Sequence, residues 1–388
     1  MMLFTPKVLA ALQAKRELFI DSKNNFQNDI NLLNGSLEQF SRLSLKGAEE
    51  VLAPIERPGA RPTTELDQHK GIRVPFPASW DNHRQARTWA LNVLGGTPTF
   101  AADGSQITPS KDISIPVGVV QVGWFENPHS SQGSYVKDVE FEIMASDELG
   151  EGDAYESAVP EINLKRFVLE VEVLNTYMLA NRNSNPKPLC FFDGSFVISF
   201  IQRMHPSRQQ IYINAVLEML DTSRQTAVPL VAYVDASYAR DLTTMLTHLS
   251  GLQPKGFVSD SALLRPHMKW GDRSQVFICD RYDESLADYY QDVCFVYLKV
   301  TADNPPARVE FPGWIFESDQ HEQVLDLVRA ECVVGAGYPY VLETADAIAV
   351  LTMQDRERFY SLFQEFVERE DIAMRWTRKA RSKRGRRT

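Results

Sequence analysis

Between Thr97 and Leu249 the sequence runs through patterns in an order that few folds accommodate. TPTFAADGS, PVGVVQVGWFE and VKDVEFEIM read as three short strands joined by turns, the third carrying Val139, Phe141 and Ile143 on one half-buried face. The acidic stretch DELGEGDAYES reads as a loop, and INLKRFVLEVEVLNTYMLAN spaces its apolar residues as a helix. KPLCFFDGS, PSRQQIYINAVLEMLD, PLVAYVDAS and YARDLTTMLTHL then follow as strand, helix, strand and helix. Strands joined by tight turns pair antiparallel, whereas strands joined through a helix lie parallel by right-handed crossovers. An α/β domain with a mixed sheet flanked by helices is expected.

That strand order is the one of ribonuclease H-like domains. Around it, residues 1–53 read as helical, and APIERPGARPTTE, with Pro54, Pro58, Gly59 and Pro62, reads as a linker. A further helix spans SWDNHRQARTWALNVLGG, capped by Ser79 or Asp81 and stopped at Gly95 and Gly96. QVFICDR and DVCFVYLKV supply more strands; helices follow at Asp319–Glu331 and, in two pieces, from Pro339 to Glu370. The expected division is a helical N-terminal extension over 1–96, a ribonuclease H-like α/β domain over 97–373 and a basic tail over 374–388.

One phrase recurs: Asp-Gly-Ser, at Asp103 in FAADGSQ and at Asp193 in CFFDGSF. Each time an apolar run delivers an aspartate to a strand end, where glycine lets the chain turn. If these two strands are neighbours the carboxylates converge, and two close carboxylates are usually reconciled by a divalent cation. The helix between them offers Glu170 and Glu172, of which only one can face the sheet because residues two apart point about 200° apart; Glu170 is preferred. Later, VVGAGYPYVLETADAIAVL places Tyr338 and Pro339 at a helix start and Asp346 among apolar neighbours, where it either faces a site or is solvated. Gly335 and Gly337 lack the third glycine of a dinucleotide fingerprint.

The paired DGS phrases, Arg166 with Glu170, the run Arg308, Glu310 and Pro312, and the late GYP and ETAD segment resemble the NurA nucleases over Thr97 to Ala347. The resemblance implies a ribonuclease H-like, Mn2+-dependent deoxyribonuclease, with Mg2+ as the related ion. It implies 5′–3′ exonuclease and single-strand endonuclease action by two-metal-ion hydrolysis, in DNA end resection and double-strand break repair. It further implies a HerA-like hexameric translocase as partner and a homodimer. Carried over, Asp103, Glu170 and Asp193 are metal ligands and Tyr338 is the active-site tyrosine. The family's last ligand is a histidine where this chain has Asp346, an oxygen donor suited to manganese or magnesium. Ser105 and Ser195 read as turn residues, since no nucleophile elbow is present.

Charge is unevenly spread. The stretch MRWTRKARSKRGRRT carries eight basic residues and no acid, and without it 33 basic residues face 51 acidic ones in the remaining chain. Arg375, Arg378, Lys379, Arg381, Lys383, Arg384, Arg386 and Arg387 are therefore candidates for a phosphate-binding arm, together with Arg308 upstream; a merely solvated end explains the tail equally well. Four scattered cysteines without a CxxC pair, no leader-like start and no long apolar run point to a soluble, cytoplasmic chain. The alternative function is a catalytically inactive ribonuclease H-like scaffold that binds DNA or a translocase.

Overall fold

The computed structural model describes residues 4–130, 132–150, 154–281, 289–375 and 377, with backbone only for 154–157. The chain forms two compact units, one of Asp81–Tyr233 with Trp314–Thr388 and one of Met1–Trp80 with Val234–Gly313. This division is discontinuous and so differs from a simple split of the chain at residue 96.

The first of these units holds five strands: β1 (Thr99–Ile107), β2 (Gly118–Asn127), β3 (Val136–Met144), β4 (Leu189–Asp193) and β5 (Leu230–Val234). They lie in the order β3-β2-β1-β4-β5, antiparallel among β1, β2 and β3 and parallel from β1 through β4 to β5. This is the mixed ribonuclease H-like sheet that the pattern predicts. The unit's longer helices among the described residues are α1 (His83–Leu94), α2 (Ala154–Ala180), α3 (Pro206–Thr226), α4 (His321–Val334), α5 (Tyr340–Ala349) and α6 (Met353–Arg369). Asn82 caps α1 by accepting from the Gln85 amide at 3.1 Å, in place of the expected Ser79 or Asp81. The α2 helix reaches back to Ala154, eight residues before the expected start at Ile162, and carries Pro160 inside it.

Burial follows position in the sheet. Leu189, Cys190, Phe191 and Phe192 of β4 are all buried, as a parallel strand covered on both faces requires. The opposite holds at β3, whose Val139, Phe141 and Ile143 are 40%, 50% and 51% exposed rather than half-buried. Its alternation is real, but β3 ends the strand order and its ladder runs to β2. All four cysteines are buried and no disulfide joins them.

The other unit contains helices Thr5–Ala14, Arg16–Phe40 and Leu45–Leu52, as expected for a helical start. The expected linker contains a strand, Pro58–Pro62, paired antiparallel with Phe277–Arg281. Its prolines sit at the strand ends of a sheet margin, where a missing N–H is tolerated, and Arg57 and Arg61 both hold Asp280. Val293–Leu298 and Ala307–Pro312 extend this ladder. Arg308 is 1% exposed there. Its Nη1 lies 2.7 Å from Asp241 and its Nε donates to Glu310 at 2.6 Å, while Arg281 grips the same Asp241. Burial alone would raise the Asp241 carboxyl, yet Arg308 and Arg281 hold it below the usual range. The expectation that Arg308 touches nucleic acid is therefore corrected: it is a core ion-pair residue, closed off from phosphates.

Truncating Arg308 to alanine would remove a buried guanidinium shared by Asp241 and Glu310 and leave Arg281 alone on Asp241, and should cost about 3–5 kcal/mol in urea unfolding. A surface arginine would cost under about 0.5 kcal/mol, and that smaller value would contradict the assignment.

Candidate metal centre

The parallel ladder between β1 and β4 pairs Thr99 with Leu189 and Ala102 with Phe192. That interval is the one separating Asp103 from Asp193, so the two DGS phrases lie side by side. They differ in one respect. Asp193 ends β4, and Gly194 turns the chain away with φ +139°, a conformation suited to glycine. Asp103 lies inside β1, which continues to Ile107, because the β2 ladder pairs Asp103, Gly104 and Ser105 with Gly123, Val122 and Gln121. The expected turn after Asp103 is thus a strand interior.

Gly104 has another role there. Strand alternation puts Asp103 and Gly104 on opposite faces, and α2 packs on the Gly104 side. A Cβ at Gly104 would collide with Glu170 Oε1 and Arg166 Cγ. Without it, Arg166 Nη1 donates to the Gly104 carbonyl at 3.0 Å and Glu170 closes against the strand. Glu170 is 6% exposed, whereas Glu172 faces solvent.

The late segment completes the cluster. Tyr338 Oη donates to Asp193 Oδ1 at 3.2 Å, and its ring stands edge-on to Tyr233 at 5.3 Å. Asp346, one of the exposed residues of α5, acts electrostatically on both Asp103 and Asp193. Three tethers fix α5. Ser105 Oγ accepts from the Leu351 amide at 3.1 Å, Gln121 Nε2 donates to the Ala349 carbonyl at 3.0 Å, and Glu331 of α4 accepts from the Val341 amide at 3.0 Å. Glu331, fully buried, also binds Thr99 Oγ1 at 2.8 Å and His129 Nε2 at 2.9 Å. Sequence reasoning passed over Glu331; a glutamate between Ala330 and Cys332 in an apolar helix run was the available signal. Ser105 is likewise a strand residue holding α5, while Ser195 accepts from Val197 N at 3.0 Å as a turn residue does.

The carboxyl groups of Asp103, Glu170, Asp193 and Asp346, carried by β1, α2, β4 and α5, thus act on one another electrostatically, although no three of them bring their oxygens within 4.8 Å of one another. Burial raises Asp103 to about 6; the Gly104 amide opposes this, while Asp193 and Asp346 add to it. Burial raises Glu170 to about 8, with Arg166 opposing and Asp103 and Asp193 reinforcing. Asp193 is raised by desolvation too, against the Tyr338 hydrogen bond and with Asp346. Glu170 Oε1 is buried with no hydrogen-bond partner among the described residues, Arg166 Nε standing 3.5 Å off. An orphaned carboxylate oxygen beside three further carboxyls fits a hard divalent cation such as Mn2+ or Mg2+. Of the basic candidates, Arg375 is exposed and its backbone is held by Ser114 at 2.9 Å. Arg378, Lys379, Arg381, Lys383, Arg384, Arg386 and Arg387 lie outside the described residues.

Residues 97–351 match the NurA domain. No curated protein matches the sequence. Among solved structures, a NurA crystal structure with manganese aligns at 11% identity, covering 69% of this chain and 89% of that one, with a TM-score of 0.40. A NurA bound to dAMP and manganese aligns at 10% identity over 87% and 95%, also with a TM-score of 0.40. Endonuclease V from Bacillus subtilis aligns at 12% identity over 75% and 97%, with a TM-score of 0.30.

The raised carboxyls fix a pH dependence. Asp103 and Glu170 hold protons more tightly folded than unfolded, so their contribution to metal-free stability is fully present near pH 4 and is lost as pH climbs through about 6 and about 8. In EDTA at pH 8, Asp103→Asn and Glu170→Gln should each melt above the unaltered protein, with the gap closing near pH 4. Variants that melt lower at pH 8 would contradict this.

Proposed function

This chain belongs to the NurA family, and from that premise we propose that it is a divalent-metal-dependent DNA nuclease. The observation carrying the proposal is the electrostatic coupling of Asp103, Glu170, Asp193 and Asp346 from four separate elements, with Glu170 Oε1 buried and lacking a hydrogen-bond partner among the described residues. These four residues would hold the cations, Mn2+ foremost and Mg2+ as an alternative. When bound, a pair of such ions supplies the charge that activates a water for in-line attack and stabilises the leaving oxygen. The chain's own residues prepare that chemistry. Tyr338 orients Asp193 through its hydroxyl; Arg166 offsets the carboxylate charge from beneath Gly104. The tethers from Glu331, Gln121 and Ser105 hold α5, and with it Asp346, against the strands.

The finer reading is 5′–3′ exonuclease and single-strand endonuclease action in DNA end resection and double-strand break repair, carried out as a homodimer with a HerA-like hexameric translocase. Residues 97–373 make the nuclease domain in this proposal, and the basic stretch from Arg375 is a phosphate-binding arm. The acidic body makes the metal load a precondition for binding a polyanion. No helix among the described residues is long and apolar enough to cross a membrane. The replacement of the family histidine by Asp346 favours the second reading, a scaffold that binds without cutting.

Labelled single- and double-stranded DNA should be degraded in Mn2+ and spared in EDTA. Asp103→Asn and Asp193→Asn should lose about 100-fold or more, and Tyr338→Phe about tenfold. Cutting that survives Asp193→Asn would refute the site, and no cutting under any metal would favour the scaffold. Asp346→His should keep activity in Mn2+ and lose it in Mg2+, because imidazole suits the softer ion; equal loss in both would count against Asp346 as a ligand. Deleting residues 374–388 should weaken DNA binding and flatten its salt dependence, whereas an unchanged salt slope would exclude the arm.

A further inference from the structure

Six residues beyond Asp193 the chain forms a single-turn 3-10 helix, Ser199–Arg203. Ile201 is fully buried and anchors it, yet Phe200 beside it is 57% exposed. The turn is held firmly: Gln209 of α3, itself buried, donates through Nε2 to the carbonyls of Ile201 and Gln202, both at 3.1 Å. Phe200 meets the buried ring of Tyr212 edge-on at 5.3 Å and 88°. Tyr212 in turn packs on Phe167 at 4.9 Å and lies in the electrostatic reach of Arg166 and Glu170. Other phenylalanines are exposed in this chain, Phe4 and Phe141 among them. Phe200 differs because the ring it meets, Tyr212, lies within electrostatic reach of Glu170 and because its backbone is fixed.

An aromatic face kept in water on a rigid turn has lost its burial energy without gaining mobility. It is preorganised for a flat apolar partner, and nucleobases are such partners at a site that handles DNA ends. Arg203, which is exposed, follows on the same short segment and gives it positive character for an adjoining phosphate. We propose that Phe200 is a stacking platform for an unpaired nucleobase next to the cut phosphate, making single-stranded DNA the strand form that this site grips. The proposal rests on the nuclease reading, and its test separates the two.

The test is fluorescence-anisotropy binding of labelled single-stranded oligonucleotides to the full chain in Ca2+, with parallel cleavage assays in Mn2+. The unaltered protein is compared with Phe200→Ala, Phe200→Leu and Phe200→Trp, each checked for an unchanged circular dichroism spectrum. Stacking predicts about tenfold weaker binding for Ala and Leu and recovery for Trp. On an oligonucleotide of abasic residues all four proteins should bind alike, since no base is left to stack. Unaltered binding by Ala and Leu, a penalty that persists on abasic DNA, or no DNA binding by any protein overturns the proposal. A base-dependent penalty without cutting would sink the nuclease reading alone, and cutting without the penalty would sink the stacking platform alone.

Discussion

The parallel pairing of β1 with β4 is the constraint on which the rest of the site depends. Backbone hydrogen bonds fix the register between Thr99 and Leu189 through Ala102 and Phe192, and with it the separation of Asp103 from Asp193. A parallel ladder slipped by one residue would move every side chain of β4 to the other face. It would also force Leu189, Cys190 and Phe191, all fully buried, to repack against the opposite covered face. The apolar burial of one strand therefore sets the geometry of two charged groups, and the core is what makes the carboxylate pair affordable.

What is brought together this way is electrostatically unfavourable on its own. Desolvation leads the causes that raise Asp103, Glu170 and Asp193, and neighbouring carboxylates add to it in each case. Arg166 offers partial relief, and the buried oxygen of Glu170 has none from hydrogen bonding among the described residues. Such strain persists only where the scaffold over-determines it. The scaffold here is specific: Glu331, buried between β1 and α5, collects three donors and locks the helix that carries Asp346. The same logic runs in reverse at Arg308, where the buried carboxylates of Asp241 and Glu310 are matched by guanidinium groups.

Much of this could be read from the residues. The order of strands and helices is set by local periodicity and by rules of connection, so the sheet order followed without contacts. The repeated phrase pointed to both aspartates, and helix geometry allowed only one of Glu170 and Glu172 to face the sheet, of which Glu170 is the buried one. Three things could not be read. The interior position of Asp103 depends on the β2 ladder, whereas Asp-Gly in isolation reads as a turn. The exposure of Val139, Phe141 and Ile143 reflects where β3 lies in the sheet, which alternation cannot report. Arg308 reads as a basic residue available to phosphate until its strand neighbours Glu310 and the distant Asp241 are brought to it. Short-range pattern carries backbone form; partners far apart in sequence decide what a charge is for.

The central claim is that four carboxyl groups form one cation-binding pocket. Diffraction from a crystal soaked in manganese, recorded at the manganese absorption edge, tests it directly. The account predicts anomalous density in contact with the carboxylates of Asp103 and Asp193. A manganese-soaked crystal with no such density between them, or with manganese bound only elsewhere, would contradict it.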